Sequence, residues 1–207
     1  MGIDVYNGTG PIDWAKVRAA GHAFAFVKAT EGLTLIDHRL QTNLAGMAAA
    51  GMVRGAYHFF HVAPGTGAQQ AAHFVNATRD AGYDFTKDLP LALDLEDRAG
   101  TGRYGAVKMR AEVQAFNAEL ERLTGKRPII YLDYDFGQNL LGDGYGGHPL
   151  WIASYTGAEQ PHVPKGWERW TFWQYGEYGR VDGVYGSVVD MDRWNGSEAE
   201  LRAWAAA

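Results

Sequence analysis

The residues best placed to do chemistry are two carboxylic acids one position apart, Asp94 and Glu96, in the run Leu91-Ala92-Leu93-Asp94-Leu95-Glu96. Side chains alternate along a strand, so positions two apart share a face at a separation of roughly 7 Å. Like charges that close raise the pKa of one partner, and one of the two then stays protonated near neutral pH. A neutral acid beside an ionised one is what glycoside cleavage needs, because the leaving oxygen must be protonated while an oxocarbenium-like transition state is stabilised. A Ca²⁺ or Mg²⁺ site built from Asp94, Glu96 and Asp97 is the rival reading. It is disfavoured because Asp97 alternates to the other face and no Asp/Asn-rich loop follows.

Further acids recur where strands are expected to end. Asp4 closes the first, Glu31 follows the second and Asp190 closes the last. Any one of them has a bland alternative as a helix N-cap, but several gathered on one rim do not. Other chemistries lack their signatures. There is no Gly-x-Ser-x-Gly, no phosphate loop ending in Gly-Lys-Ser/Thr and no His-Glu-x-x-His. The seven histidines are dispersed, and of these His58 and His61 flank the end of the third strand and are candidates to line a pocket.

The elements that must carry these groups show as apolar, β-branched and aromatic runs at 2–6, 24–28, 53–59, 90–96, 128–132, 150–155, 171–175 and 183–190. The first five are separated by helical patterns. The clearest is Met109, Val113, Phe116, Leu120 and Leu123, closed by Gly125, and Asp13 ahead of Trp14 and Val17, with Gly21 after them, reads the same way. The last three follow with too little room for full helices, and Ser197 with Glu200 forms a capping box that starts a final helix. The expectation is a TIM-like (β/α)5(β)3 barrel of the α/β class, one domain over 1–207, with its site at the C-terminal strand ends. An open doubly wound sheet would want a glycine-rich phosphate loop after an early strand. The Gly-x-Gly-x-x-Gly match at 142–147 follows no strand and reads as a flexible loop.

Composition narrows the partners. With no cysteine there is no disulfide, thiolate nucleophile or thiolate metal site, and a net charge of −5 without basic blocks argues against nucleic acid and anionic lipid. The longest apolar stretch, 47–53, is far too short to span a bilayer. Seven Trp and eleven Tyr supply the flat apolar faces and polar tips on which sugar rings stack. The N-terminus enters strand-like sequence without the basic and apolar regions of a secretory leader, so a removed leader or another export route is expected. No metal and no cofactor are expected, and a monomer is.

These residues resemble glycoside hydrolase family 25, the Chalaropsis-type lysozymes, over nearly the whole chain. The resemblance rests on Asp4-Val5, Gly10, Gly21, Phe26-Val27-Lys28-Ala29-Thr30-Glu31-Gly32, Leu35 and Asp37. It continues through Gly55-Ala56-Tyr57-His58-Phe59-Phe60, Leu93-Asp94-Leu95-Glu96, Trp151-Ile152-Ala153-Ser154-Tyr155, Trp173-Gln174-Tyr175 and Val189-Asp190. It implies a muramidase that cuts the β-1,4 bond between N-acetylmuramic acid and N-acetylglucosamine in bacterial peptidoglycan, outside the cytoplasm, as in a phage endolysin or the catalytic domain of a longer lysin. It also implies roles: Glu96 the general acid, Asp94 its positioning partner, Asp4 and Asp190 completing the acidic cluster, and Tyr57, Tyr131, Tyr155 and Trp173 holding sugar, with Glu31 nearby. Asp192 faces the same way as Asp190 on an extended chain, so the likeness, not geometry, favours Asp190. A chitinase-like glycosidase and a catalytically inactive wall-binding module are the competing readings. Retention of four acids opposes the second, since mutual repulsion would cost a pure binder stability.

Overall fold

The computed structural model describes residues 1–186 and 188–207. Eight strands close into a barrel: β1 (Gly2–Val5), β2 (Phe24–Glu31), β4 (Val53–Phe59), β5 (Ala92–Asp94), β6 (Ile129–Asp133), β7 (Leu150–Ala153), β8 (Phe172–Gly179) and β9 (Val189–Trp194). β1 pairs parallel with β2 on one side and antiparallel with β9 on the other, which completes the ring. A two-residue strand, β3 (Leu35–Ile36), turns back on the end of β2 as an added edge. The open-sheet alternative is thereby set aside.

Alternation along the strands separates two cores. Phe24, Phe26, Ala92, Ile129, Trp151 and Phe172 point inward and fill the barrel, with Phe26 stacked on Trp151 at 4.2 Å between ring centroids. Two inward positions are glycine because the rings need the space: a Cβ on Gly2 would lie 2.4 Å from the Phe24 ring, and one on Gly55 would lie 2.3 Å from Phe26. Val27, Leu93, Ile130, Leu132 and Ile152 point outward against the helices. These are α1 (Trp14–Ala19), α2 (Leu40–Ala49), α3 (Gly67–Asp80), α4 (Arg98–Tyr104) and α5 (Ala106–Thr124). Asp13 caps α1 by accepting from the Lys16 amide, and Gly125 ends α5 in the left-handed conformation at φ 72°. The last helix, α6 (Glu198–Ala205), starts on the Ser197/Glu200 box and sets Leu201, Trp204 and Ala205 against the bottom of the inner core.

Two expectations need correcting. The eighth strand occupies Val189–Trp194 rather than 183–190, and it runs antiparallel to both neighbours. Residues 182–184 instead form a turn docked on the start of the chain, where the Asp13 amide donates to the Gly183 carbonyl and Ile12 bridges to Val184, and position 187 of the expected strand lies outside the described residues. The 142–147 loop is closely packed at its end, where a Cβ on Gly146 would collide with the Gly166 carbonyl oxygen and one on Gly147 would crowd Arg127, while Gly142 and Gly144 face open space.

Candidate active site

The mouth of the barrel, at the C-terminal ends of the parallel strands, holds a depression of about 80 Å³ lined by Asp4, Tyr57, Asp94, Glu96, Tyr131, Trp151, Gln174 and Asp190. A much larger one, about 740 Å³, lies at the opposite end among Trp167, Trp170, Trp194 and Trp204. Size does not decide between them. The larger holds only two carboxylates, Glu168 and Glu200, and Glu200 is spent on the amide of Ser197 at 2.7 Å as part of the α6 cap. The chemistry is at the mouth.

Asp94 is the last residue of β5, faces the barrel interior and is only 4% exposed. Asp94 lines the depression, and its Oδ1 is buried without a hydrogen-bond partner. Glu96, just beyond the strand, is exposed at the rim and within hydrogen-bond reach of Asp94. Burial, and then the Glu96 charge, push Asp94 well above the usual carboxylate range; lost hydration and the nearby Asp133 raise Glu96. The pair therefore retains a proton to higher pH than free carboxyl groups do. Nearby cations are already engaged. Lys28 Nζ lies 2.6 Å from Glu31, and Arg98 pairs with Asp133 at 2.7 Å and Asp135 at 2.8 Å.

The second acidic group stands on the seam where β1 meets β9. Asp4 and Asp190 are directly paired residues of these strands. β9 runs opposite to the others, so its beginning and not its end reaches the mouth; Asp190 is there for a reason the strand-end rule did not anticipate. Burial and the Glu177 charge raise Asp190 to about 6. Gln174 ties this seam to the aromatic wall: its Nε2 donates to Asp4 Oδ2 at 2.7 Å, while its Oε1 accepts from the hydroxyls of Tyr131 at 2.8 Å and Tyr155 at 2.6 Å. Tyr57, shut in beside Asp4, Asp94 and Asp190, is held neutral by burial and by those charges.

Of the residues singled out from the sequence, Asp4, Tyr57, Asp94, Glu96, Tyr131 and Asp190 share the depression, and Tyr155 joins it through Gln174. Trp173 does not. Its neighbours Phe172 and Gln174 take the inward positions of β8, which turns Trp173 outward, 2% exposed, with its Nε1 donating to the Ser154 carbonyl. Glu31 stands off the depression, bonded to Lys28 and to His61 Nε2 at 2.9 Å. His58 is also out of phase with the mouth. It is fully buried between Phe74 and Phe116, bonded to Thr30 at 2.7 Å, and burial lowers it to about 3, so it is a neutral packing residue. Asp97 caps α4 through the Gly100 amide and also accepts from the Val62 amide. Gln174 and Trp151 were missed as lining residues. The available signal was a lone polar residue inside the apolar run Thr171-Phe172-Trp173-Gln174-Tyr175.

The glycosyl hydrolases family 25 model matches residues 3–184. Lysozyme M1 of Streptomyces globisporus is 38% identical over 212 residues, covering 99% of this chain and 71% of that protein. The bacterial lysozyme from Streptomyces coelicolor superposes with a TM-score of 0.89 at 36% identity, covering 99% of this chain and 96% of that one. A family GH25 lysozyme from Aspergillus fumigatus gives a TM-score of 0.86 at 30% identity, covering 100% and 98%.

Proposed function

The chain belongs to glycosyl hydrolases family 25 and is a peptidoglycan-hydrolysing muramidase, and from that premise we propose a division of labour among its acids. The enzyme cuts the β-1,4 bond between N-acetylmuramic acid and N-acetylglucosamine, on the wall side of the membrane. Glu96 is the general acid that protonates the leaving oxygen. Asp94 orients the 2-acetamido group of the sugar on the other side of the bond, whose carbonyl oxygen attacks the anomeric carbon as the C–O bond breaks. Water then opens the cyclic intermediate with Glu96 acting as base, so the β configuration is retained. Asp4 and Asp190 supply negative potential beneath the developing oxocarbenium charge, and Tyr57, Tyr131 and Tyr155 hold the ring. Glu31 and Trp173 support the rim and the wall from outside the depression. The acting species is a monomer that needs no nucleic acid, lipid or cofactor.

The observation that carries this reading is the contrast within the pair: Asp94 lines the depression but is buried with an unpartnered oxygen, and Glu96 beside it is open to the mouth. A buried carboxyl group with a free oxygen is suited to grip a neutral N–H, while an accessible one can exchange its proton with a leaving group and with water. The test is clearance of a bacterial wall suspension, followed by identification of the new reducing end. Muramic acid at that end is expected, and glucosamine there would favour a glucosaminidase. Anomer-resolved NMR of fresh product should show the β-anomer first; an initial α-anomer would rule out the acetamido route.

A further inference from the structure

Asp192 has no part in the scheme above, yet it is the most enclosed acid described, 0% exposed in the inner core. It sits one inward position below Asp190 on β9, paired with Gly2 of β1 on one side and Gln174 of β8 on the other. Its Oδ1 accepts from Trp151 Nε1 at 2.8 Å. Its Oδ2 has no donor at all, and the group within hydrogen-bond reach is another carboxyl, that of Asp4. The charged and titratable groups that face it are Asp4 and the half-buried amino group of Met1 from β1, Asp190 from its own strand and Tyr175 from β8. Among the described residues, no lysine or arginine is bonded to it.

We propose that Asp192 and Asp4 share a single proton in the working enzyme, with Asp192 acting as the positioning residue that holds Asp4 at the seam. Two carboxylates facing one another without a cation between them cannot both be ionised in so enclosed a place. The donors that reach the pair are already placed, the Trp151 indole on Asp192 and the Gln174 amide on Asp4, while the third group in reach, at Asp4, is the Asp190 carboxyl. Only a proton between the two acids satisfies the remaining oxygen. Each acid also takes a hydrogen that favours its charged form, the Trp151 indole on Asp192 and the Gln174 amide on Asp4, so the one proton is held between them rather than owned by either. Burial first, and Asp190 after it, raise Asp192 to about 8, in keeping with a proton retained at neutral pH.

The consequence for stability has a definite sign. Unfolded, Asp192 would lose its proton near the ordinary carboxyl value; folded, it keeps the proton to about 8. Its contribution is therefore fully present below the ordinary value and declines as pH rises toward 8, levelling beyond it. Asp192→Asn keeps a donor toward Asp4 and an acceptor for Trp151 but does not titrate. Its melting temperature should gain on the parent from pH 5 to pH 8, and its rate on wall at pH 6 should stay within about threefold. Asp192→Leu fills the space without a donor and should lose tenfold or more in kcat with a smaller change in KM. Isotope-edited infrared difference spectra of the parent at pH 7 should contain the C=O stretch of a protonated buried carboxyl that Asp192→Asn lacks. Absence of that band, a melting difference flat with pH, or a Leu variant as active as the Asn variant would overturn the proposal. The rate effect rests on the role given to Asp4, whereas the band and the melting slope do not. Loss of the muramidase reading would therefore leave those two readouts standing.

Discussion

The barrel mouth holds two groups of acids that are chemically alike and physically opposite. Asp94 and Glu96 stand at the end of a parallel strand, one buried and one open to the rim. Asp190, Asp4 and Asp192 stand on the antiparallel seam, progressively more enclosed in that order down to a residue with no exposure. Both groups hold protons above the ordinary carboxyl range, and in every member burial is the leading cause. A raised pKa therefore does not mark the acid catalyst. What separates the groups is whether the proton can leave: Glu96 has a path to solvent and substrate, while the proton proposed between Asp192 and Asp4 has none.

The largest expected effect tests that distinction directly. Glu96→Gln keeps the shape and removes the transferable proton, and should lower the rate on polymeric wall by roughly 10²–10⁴-fold. The fold should persist, since removing a like charge beside Asp94 relieves repulsion. Circular dichroism and melting of the variant check the second half. If Glu96→Gln stayed within tenfold of the parent, the open acid would not be the proton donor and the comparison would collapse.

Asp94→Asn should also be severe, about 10²-fold or more, but through lost orientation of the acetamido group. A substrate with an acidic leaving group separates the two roles, because such a leaving group departs with little protonation. On an aryl glycoside that the enzyme accepts, Glu96→Gln should recover a large part of its rate and Asp94→Asn should not. The reverse pattern would exchange the roles.

The same comparison shows why part of the site was legible in the sequence and part was not. Asp4, Asp94 and Glu96 could be read because they follow from strand periodicity and from the rule that barrel sites sit at C-terminal strand ends. The five strand-helix units, the Asp13 cap, the Gly125 terminus and the Ser197 box are local signals and could be read in the same way. The seam is a different matter. Alternation repeats identically in either chain direction, so nothing local reports that β9 runs backward; Asp190 was expected at a strand end and stands near a strand start. Trp173 and Gln174 show a second limit. The family resemblance suggested the tryptophan as a sugar-holding residue, but the phase of β8, fixed by Phe172 packing inward, gives the position to glutamine. The partnership of Asp192 with Asp4 spans nearly the length of the chain and has no local signature at all.

Smaller effects are expected where the two regions are joined. Tyr131 and Tyr155 both donate to Gln174 Oε1, and Gln174 in turn holds Asp4. Replacing either tyrosine by phenylalanine leaves the acceptor one donor, so each single change should cost only a few-fold in kcat/KM. The double change leaves a buried carbonyl oxygen unsatisfied, at a cost of about 1–3 kcal/mol. A double-mutant cycle should therefore show a combined loss larger than the sum of the singles. Simple additivity would mean that Gln174 does not transmit the position of the aromatic wall to the seam.

The smallest expected effect is that of a chelator, which should leave the wall-clearing rate unchanged. Ca²⁺ and Mg²⁺ take ionised or carbonyl oxygens that are free to converge on the ion. Asp94 and Glu96 instead lie within hydrogen-bond reach of each other, with both groups held toward the protonated form. Asp97, the third oxygen donor that the spacing offers, is consumed by the amides of Gly100 and Val62. A dication forced into this pair would have to displace the proton that Glu96 delivers, so added Ca²⁺ or Mg²⁺ at high concentration should slow the enzyme rather than speed it. A rate lost to chelator and restored by either ion would mean that the pair binds metal, and Glu96 could then no longer be the acid that sets it apart from the seam.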